Sequence, residues 1–206
     1  RLRPRPGVAP SQEHIPPHEL ARRNGIRVTT ALWSVAFEMR KATTDEAAVV
    51  AFEMAAFNDL VSIAELSSYV ESSMWQRWGV ERLRRVLPVL EENSWSPMEP
   101  TMRLTWHLEA DCPRPQANRA VFDLNGRFVG TPDTFDPLAG VIGFYDGALH
   151  LAGEVRHADV AKEAAYRRLG LESVTMMVGD LADRSAFIRR LHEAYARAQR
   201  RPVEQR

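Results

Sequence analysis

The sequence predicts a mixed α/β protein, with a mainly helical N-terminal region followed by a unit of order α-β-β-β-α-β-α. Apolar residues recur at helical spacing in the first half of the chain. Short apolar runs separated by turn signals begin after residue 115 and are typical of strands. Because a predicted helix joins the third and fourth strands, we expect that pair to be parallel, in a mixed sheet covered by helices. We divide the chain into a helical region at 1–92, an α/β domain at 93–199 and a frayed tail at 200–206.

Composition limits the class of protein. An apolar fraction of 45% in 206 residues is sufficient for a real core. The charges balance, with 27 basic and 27 acidic residues, so any binding to nucleic acid must use a local basic face. A single cysteine, Cys112, excludes an internal disulfide framework and a thiolate zinc site, and it is typical of a reducing cytoplasm. With no apolar run near the roughly 20 residues that span a bilayer, and no signal peptide, we expect a cytoplasmic protein.

Four helices are expected in the N-terminal region, after an extended proline-rich segment and a short strand at 26–28. Thr30 precedes the first helix and Thr44 caps the second. Ser62-Ile-Ala-Glu65 is a capping box that opens the third. The expected helix ranges are 31–41, 45–57, about 63–72 and about 80–93. Three tryptophans of this region are interpreted as core or inter-helix packing, in preference to a role in base stacking: Trp33, Trp75 and Trp78.

The α/β domain begins with a strong helix signal. Ser96 stands at the N-cap position, Pro97 at the first helical position and Glu99 at N3, which predicts a helix to about residue 110. The Asn125-Gly126 pair is the best short hairpin signal in the chain. Further strands are expected at 116–124, 127–133, 141–146 and 172–178, with a helix at about 155–169 and a last helix capped by Asp180.

Acidic residues mark the predicted site. The runs 127–131 and 141–145 flank a turn and are expected to form an antiparallel hairpin with an acid late in each strand. Folding would bring Asp133 and Asp146 together, near Glu99 at the start of the helix, as a divalent metal ion requires. Each acid also has a structural interpretation, because Glu99 fits a capping box and the two aspartates fit turns.

Other polar residues follow these acids. His150 lies four residues beyond Asp146, where its imidazole could transfer a proton to a leaving group, although a histidine in a polar loop is commonly just solvated. Lys162 and Arg167 lie on the following predicted helix and are candidates for phosphate binding in nucleic acid. A solvated helix face is the simpler explanation of these cations.

A resemblance rests on several short motifs in residues 94–198. They are Ser96-Pro97-x-Glu99, Pro113-x-Pro115-x-x-Asn118, Gly130-x-x-Asp133, Tyr145-Asp146-Gly147-x-x-His150, Asp159-x-x-Lys162 with Leu169-Gly170, and Asp180-Leu181. This half of the chain resembles the actinobacterial endonuclease-like domains related to very-short-patch-repair endonucleases, in the PD-(D/E)XK superfamily. The resemblance implies a restriction-endonuclease-like fold and Mg²⁺- or Mn²⁺-dependent cleavage of DNA. Glu99, Asp133 and Asp146 would then be catalytic acids and metal ligands, with His150 nearby.

Upstream residues have a second resemblance. Arg27-Val-Thr-Thr30 and Leu60-Val-Ser-x-x-Glu-Leu66 look like the C-terminal part of abortive-infection type antitoxins, which usually follows a winged-helix DNA-binding module. Because the chain starts at Arg1 rather than Met, we expect such a module upstream.

Phe144 departs from the nuclease pattern. The family usually has a glutamate two residues before the Asp-Gly pair, and in a strand that position shares a face with Asp146. An aromatic ring there should weaken Mg²⁺ binding and disfavour the charged form of Asp133. The predicted function is therefore a Mg²⁺-dependent DNA endonuclease of reduced or lost activity. The alternatives are a non-catalytic DNA-binding or antitoxin-like regulator that retains the fold, and a purely structural remnant.

Overall fold

The computed structural model describes residues 6–8, 10–74, 76–146 and 162–200. The helices are α1 (Ala31–Lys41), α2 (Asp45–Phe57), α3 (Ile63–Ser72), α4 (Val80–Val86), α5 (Met98–Leu104), α6 (162–168 as described) and α7 (Ser185–Gln199). The strands are β1 (Leu20–Arg23), β2 (Ile26–Thr29), β3 (Gln116–Ala117), β4 (Val121–Phe122), β5 (Phe128–Gly130), β6 (Thr134–Asp136), β7 (Val141–Asp146) and β8 (Glu172–Met177). The predicted mixed α/β class is confirmed.

The N-terminal helices begin where their caps predict. The Thr30 side chain accepts from Trp33 N at 3.2 Å, and Thr44 accepts from Ala47 N at 3.0 Å. Ser62 and Glu65 form the predicted capping box of α3. Each cap provides an acceptor for an N–H group that the first turn of a helix leaves unsatisfied. The buried faces of these helices share one apolar core, which includes Met39, Phe52, Leu66, Leu83 and Leu90.

Two details of this region differ from expectation. Helix α4 ends at Val86 and continues only as a 3-10 turn, Leu87–Val89, because Pro88 lacks the N–H that an α-helix would need. The expected strand at 26–28 is present as β2, but it pairs antiparallel with β1, a strand that was not predicted.

The C-terminal half contains a four-stranded mixed sheet in the order β3-β6-β7-β8. The β3–β6 and β6–β7 pairs are antiparallel, and β7 and β8 are parallel, as the intervening helix predicts. Val141 lies on the face that packs against α5 and α7, together with Trp106 and Phe187. Ile142 lies on the opposite face, in a cluster with Tyr166 of α6. The sheet is therefore covered by helices on both faces.

The hairpin that carries the two aspartates has different arms from those predicted. Its first arm is β6, at 134–136, and residues 128–130 instead pair with β4 around the Asn125-Gly126 turn. The β4–β5 hairpin confirms the Asn-Gly signal. Asp133 consequently stands just before the first arm of the β6–β7 hairpin rather than at the end of it.

Two helix-cap predictions need correction. The N-cap of α5 is Pro97 without a side-chain cap, and Glu99 accepts from Trp95 N at 2.8 Å rather than closing a capping box with Ser96. Helix α5 then widens into a π-helical turn, Thr105–Glu109. Asp180 does not cap α7. It accepts from Met177 N at 2.7 Å within the 3-10 turn Val178–Leu181 and is paired with Arg190.

Candidate active site

Asp133 lies at the centre of the candidate site. Its Oδ2 accepts a hydrogen bond from Tyr145 N at 2.7 Å, which fixes the carboxylate against β7. Burial raises the pKa of Asp133 to about 6; the Tyr145 hydrogen bond opposes this shift, the charge of Glu99 adds to it, and the charge of Lys162 opposes it. The carboxylate is therefore ionised near neutral pH, but in surroundings that would stabilise it better if another cation were present.

Glu99 is held in place by a polar network. Its Oε2 accepts from Trp95 N at 2.8 Å and from Asn118 Nδ2 at 2.5 Å, and the residue is 6% exposed. Asn118 also donates from Nδ2 to Asn93 O at 2.7 Å, and its own N–H donates to Asp133 O at 3.2 Å. This network joins the start of α5 to the backbone of Asp133, so the two acidic residues are positioned relative to each other by shared hydrogen bonds.

Phe144 faces the same side of the sheet as Asp133. Thr134 pairs with Gly143 in the antiparallel register, so one step further along the hairpin places Asp133 beside Phe144. The Phe144 ring lies 5.8 Å from the Tyr166 ring and 5.7 Å from Lys162 Nζ, measured to ring centroids. The aromatic ring thus lies beside Asp133 on this face of the sheet.

Helix α6 contributes a lysine and a tyrosine to this face. Lys162 and Tyr166 are four residues apart and lie one above the other on the helix. A Cβ atom built on Gly130 would overlap Lys162 Cε and Tyr166 Oη, so the ends of both side chains lie close against the backbone of β5. Burial, followed by the charge of Asp133, raises the pKa of Tyr166 to about 12, and its buried hydroxyl has no hydrogen-bond partner among the described residues.

Of the remaining predicted site residues, the structure describes Asp146 and Arg167. Asp146 is the last residue of β7 and is exposed. Within the described ranges, no three acidic, histidine or cysteine side chains form a group that could hold a metal ion. Arg167 pairs with Glu163 at 2.6 Å, and both side chains are exposed. His150 lies outside the described residues.

Sequence reasoning missed the role of three residues. Lys162 was considered only for nucleic-acid binding, yet its charge acts on Asp133. Asn118 belongs to the motif Pro113-x-Pro115-x-x-Asn118, but nothing in that motif indicates that its side chain donates to Glu99. Tyr166 could have been found from its i+4 spacing to Lys162. Contacts between separate elements, which the sequence does not encode locally, bring all three together.

Comparison with known proteins identifies no relative from which the site could be interpreted. No family model, curated protein or solved structure matches the chain. Among the residues that the structure describes, no helix has the length and apolarity needed to cross a membrane.

Proposed function

We propose that this chain is a Mg²⁺-dependent DNA endonuclease that hydrolyses phosphodiester bonds weakly. The observation that carries the proposal is a buried Asp133 carboxylate that is subject to both the negative charge of Glu99 and the positive charge of Lys162, with Asn118 hydrogen-bonded to Glu99 and to the backbone of Asp133. Such an acid-and-lysine arrangement is suited to a negatively charged phosphate that arrives together with a divalent cation. We further propose a cytoplasmic location, since the single cysteine, Cys112, is a buried free thiol.

The donor set fits Mg²⁺. This ion commonly binds one or two carboxylates, keeps several waters and takes further ligands from substrate phosphates, so a third protein acid is not required. Asp133 Oδ1 and Glu99 Oε1 accept no hydrogen bond from the described residues, which leaves one oxygen of each for a cation. Asp146, at the end of the neighbouring strand, would be the third ligand. When bound, Mg²⁺ supplies Lewis-acid stabilisation of the phosphate charge.

The protein residues have separate roles in this proposal. Asp133 and Glu99 would hold the cation, while Asn118 and the Tyr145 N–H orient their carboxylates. Lys162 neutralises charge that develops on the phosphate. His150 keeps its predicted role in proton transfer. Phe144 removes one oxygen ligand and puts an apolar ring beside Asp133, which explains why we expect slow cleavage.

A nicking assay on supercoiled plasmid tests this function. With Mg²⁺ or Mn²⁺, we expect slow nicking by the parent, no nicking by Asp133→Asn and at least about tenfold faster nicking by Phe144→Glu, which corresponds to about 1.4 kcal/mol of barrier. Phe57→Glu is the matched control, because it adds the same charge at an exposed aromatic residue of α2. Nicking that survives in Asp133→Asn, or is absent from both the parent and Phe144→Glu, would contradict the proposal.

The second candidate is a non-catalytic DNA-binding regulator that retains the nuclease fold. The observation that favours it is the packing of Phe144 in one apolar cluster with Ile142 and Tyr166, where a ligand acid would be costly to desolvate. This candidate predicts metal-independent binding of duplex DNA without cleavage. It would be preferred if Phe144→Glu destabilised the protein without producing any nicking.

A further inference from the structure

A polar pocket lies in the N-terminal half, lined by residues other than those of the acidic site. It has a volume of about 270 Å³ and is lined by Glu13, Arg40, Lys41, Gln76, Arg77 and Trp78. Three of these side chains are cationic and one is anionic, so the pocket has an excess of two positive charges in a chain whose formal net charge is zero. A local excess of this kind attracts anionic ligands.

The exposed tryptophan of this pocket corrects an expectation. Trp33 is buried as predicted, at 3% exposure, but Trp78 is 69% exposed and is therefore not a core residue. Trp75 lies outside the described residues. An exposed indole beside cations is a common feature of surfaces that stack nucleobases.

The loop that carries Trp78 is fixed against α1. Arg40 Nη1 donates to Trp78 O at 2.9 Å, and the Arg40 side chain is only 1% exposed. Gly79 has φ +80°, and a Cβ there would lie 3.0 Å from Arg40 O, so the backbone approaches α1 as only glycine permits. The Trp78 ring is thus presented by an anchored backbone, which lowers the entropy cost of binding.

The cations differ in how far they are already neutralised. Glu13 Oε1 accepts from Arg40 at 2.6 Å and from Arg77 at 3.2 Å, so one carboxylate is shared between two guanidinium groups. Lys41 is exposed, and no carboxylate among the described residues lies within ion-pair distance of it. Its Nζ lies 4.9 Å from the centroid of the Trp78 ring. Lys41 covers one face of the indole and also lies 5.6 Å from the centroid of the Phe37 ring, so a base would stack on the other face of Trp78, which is 69% exposed. Lys41 is the cation of this pocket with no carboxylate partner among the described residues, and it is therefore the one most available to a phosphate.

We infer that this pocket binds single-stranded nucleic acid, with one unpaired base stacked on Trp78 and the adjoining phosphate at Lys41 and Arg77. The pocket is slightly smaller than sites for drug-sized ligands, which suits one phosphate of a chain that continues over the surface. An indole can stack only on a base whose face is free, so duplex DNA is not the expected ligand. The inference does not depend on cleavage at Asp133.

Fluorescence anisotropy with a short fluorescein-labelled oligothymidine tests the inference. The protein carries Asp133→Asn and the buffer contains EDTA, so the result is independent of nuclease activity. Adding Trp78→Ala should weaken binding about tenfold, whereas Trp78→Phe should retain most of it. Adding Lys41→Ala should weaken binding and reduce the slope of log K against log salt by about 0.7.

Two matched controls separate this site from general effects. Phe57→Ala removes an exposed aromatic side chain elsewhere, and Arg84→Ala removes a positive charge from α4 outside the pocket. Both should bind the oligothymidine as the parent does. Equal affinity of Trp78→Ala and the parent would overturn the inference, as would equally tight binding of a blunt duplex. Binding that depends on Trp78 in a protein that nicks no plasmid would support this site and reject only the proposed endonuclease.

Discussion

At the scale of single residues, Asp133 links stability to the proposed chemistry. Burial and the charge of Glu99 raise its pKa from the ordinary value of 3.8 to about 6. The native state therefore binds this proton more tightly than the unfolded chain. Protonated Asp133 therefore contributes to the free energy of unfolding. This contribution is complete below about pH 3.8 and is lost as the pH rises through about 6.

Asp133→Asn should therefore stabilise the protein at pH 8 but not at pH 3.5. An asparagine is neutral at both values and can still accept the hydrogen bond from Tyr145 N. The expected gain at pH 8 is on the order of 3 kcal/mol, since the pKa is raised by about two units and each unit corresponds to about 1.4 kcal/mol. Urea unfolding at the two pH values measures it, with Asp59→Asn in an exposed turn as the control for lost charge. A gain of equal size at both pH values would show that the pKa of Asp133 is ordinary.

At the scale of elements, β7 determines the geometry of the site, because it separates two differently packed faces. Gly143 lies beneath the π-helical turn that follows α5. A Cβ atom on Gly143 would overlap Thr134 Oγ1 and come within 2.8 Å of Trp106 Cζ3. Both neighbouring side chains are fully buried. The absence of a side chain at this position allows β6 and β7 to pack closely beneath Trp106, with Asp133 and Phe144 on the opposite face.

Gly143→Ala should consequently destabilise the protein by about 1–3 kcal/mol through overpacking. Gly179→Ala is the matched control, because nothing lies within 4 Å of a Cβ at that position, and its effect should stay within about 0.5 kcal/mol. Chemical denaturation of both variants gives the comparison. Similar stabilities for the two variants would mean that β7 can move away from Trp106.

Local signals in the sequence predict some helix starts, whereas pairing between strands is not local. Thr44 and Ser62 cap their helices as expected, because each cap needs only a residue three positions away. The caps predicted at Ser96 and Asp180 do not form on α5 and α7. The arms of the β6–β7 hairpin were misplaced because register depends on which partner each strand meets. The same limit applies to the site: acids at 99 and 133 were predicted, but the lysine from α6 was not assigned to them.

At the scale of the whole molecule, a buried ion pair connects the two halves of the chain. Glu53 of α2 and Arg103 of α5 form a salt bridge with both side chains almost fully buried, and Ser94 Oγ donates to Glu53 Oε2 at 2.5 Å. Burial raises the pKa of Glu53 to about 7, against the opposing charge of Arg103. Buried pairs of this kind are costly to break on one side only, because the remaining charge is left uncompensated.

Arg103→Met should therefore destabilise the protein by about 3–5 kcal/mol at pH 8. The loss should be smaller at pH 5, since Glu53, with its raised pKa, is then largely protonated in the native state and carries no unpaired charge. Arg167→Met, which removes an exposed helix pair with Glu163, should cost less than about 0.5 kcal/mol. Thermal unfolding at both pH values measures these differences, and a pH-independent loss for Arg103→Met would contradict the expected role of Glu53.

The central claim is that acids from distant parts of the chain together bind a divalent cation, and thermal unfolding with and without MgCl₂ at matched ionic strength tests it most directly. A cation that binds only the native state, at ten times its dissociation constant, adds about 1.4 kcal/mol and should raise the melting temperature by a few degrees at pH 7.5. We predict this rise for the parent and for Asp59→Asn, and its absence from Asp133→Asn. No rise in the parent, or an equal rise in Asp133→Asn, would contradict the metal site.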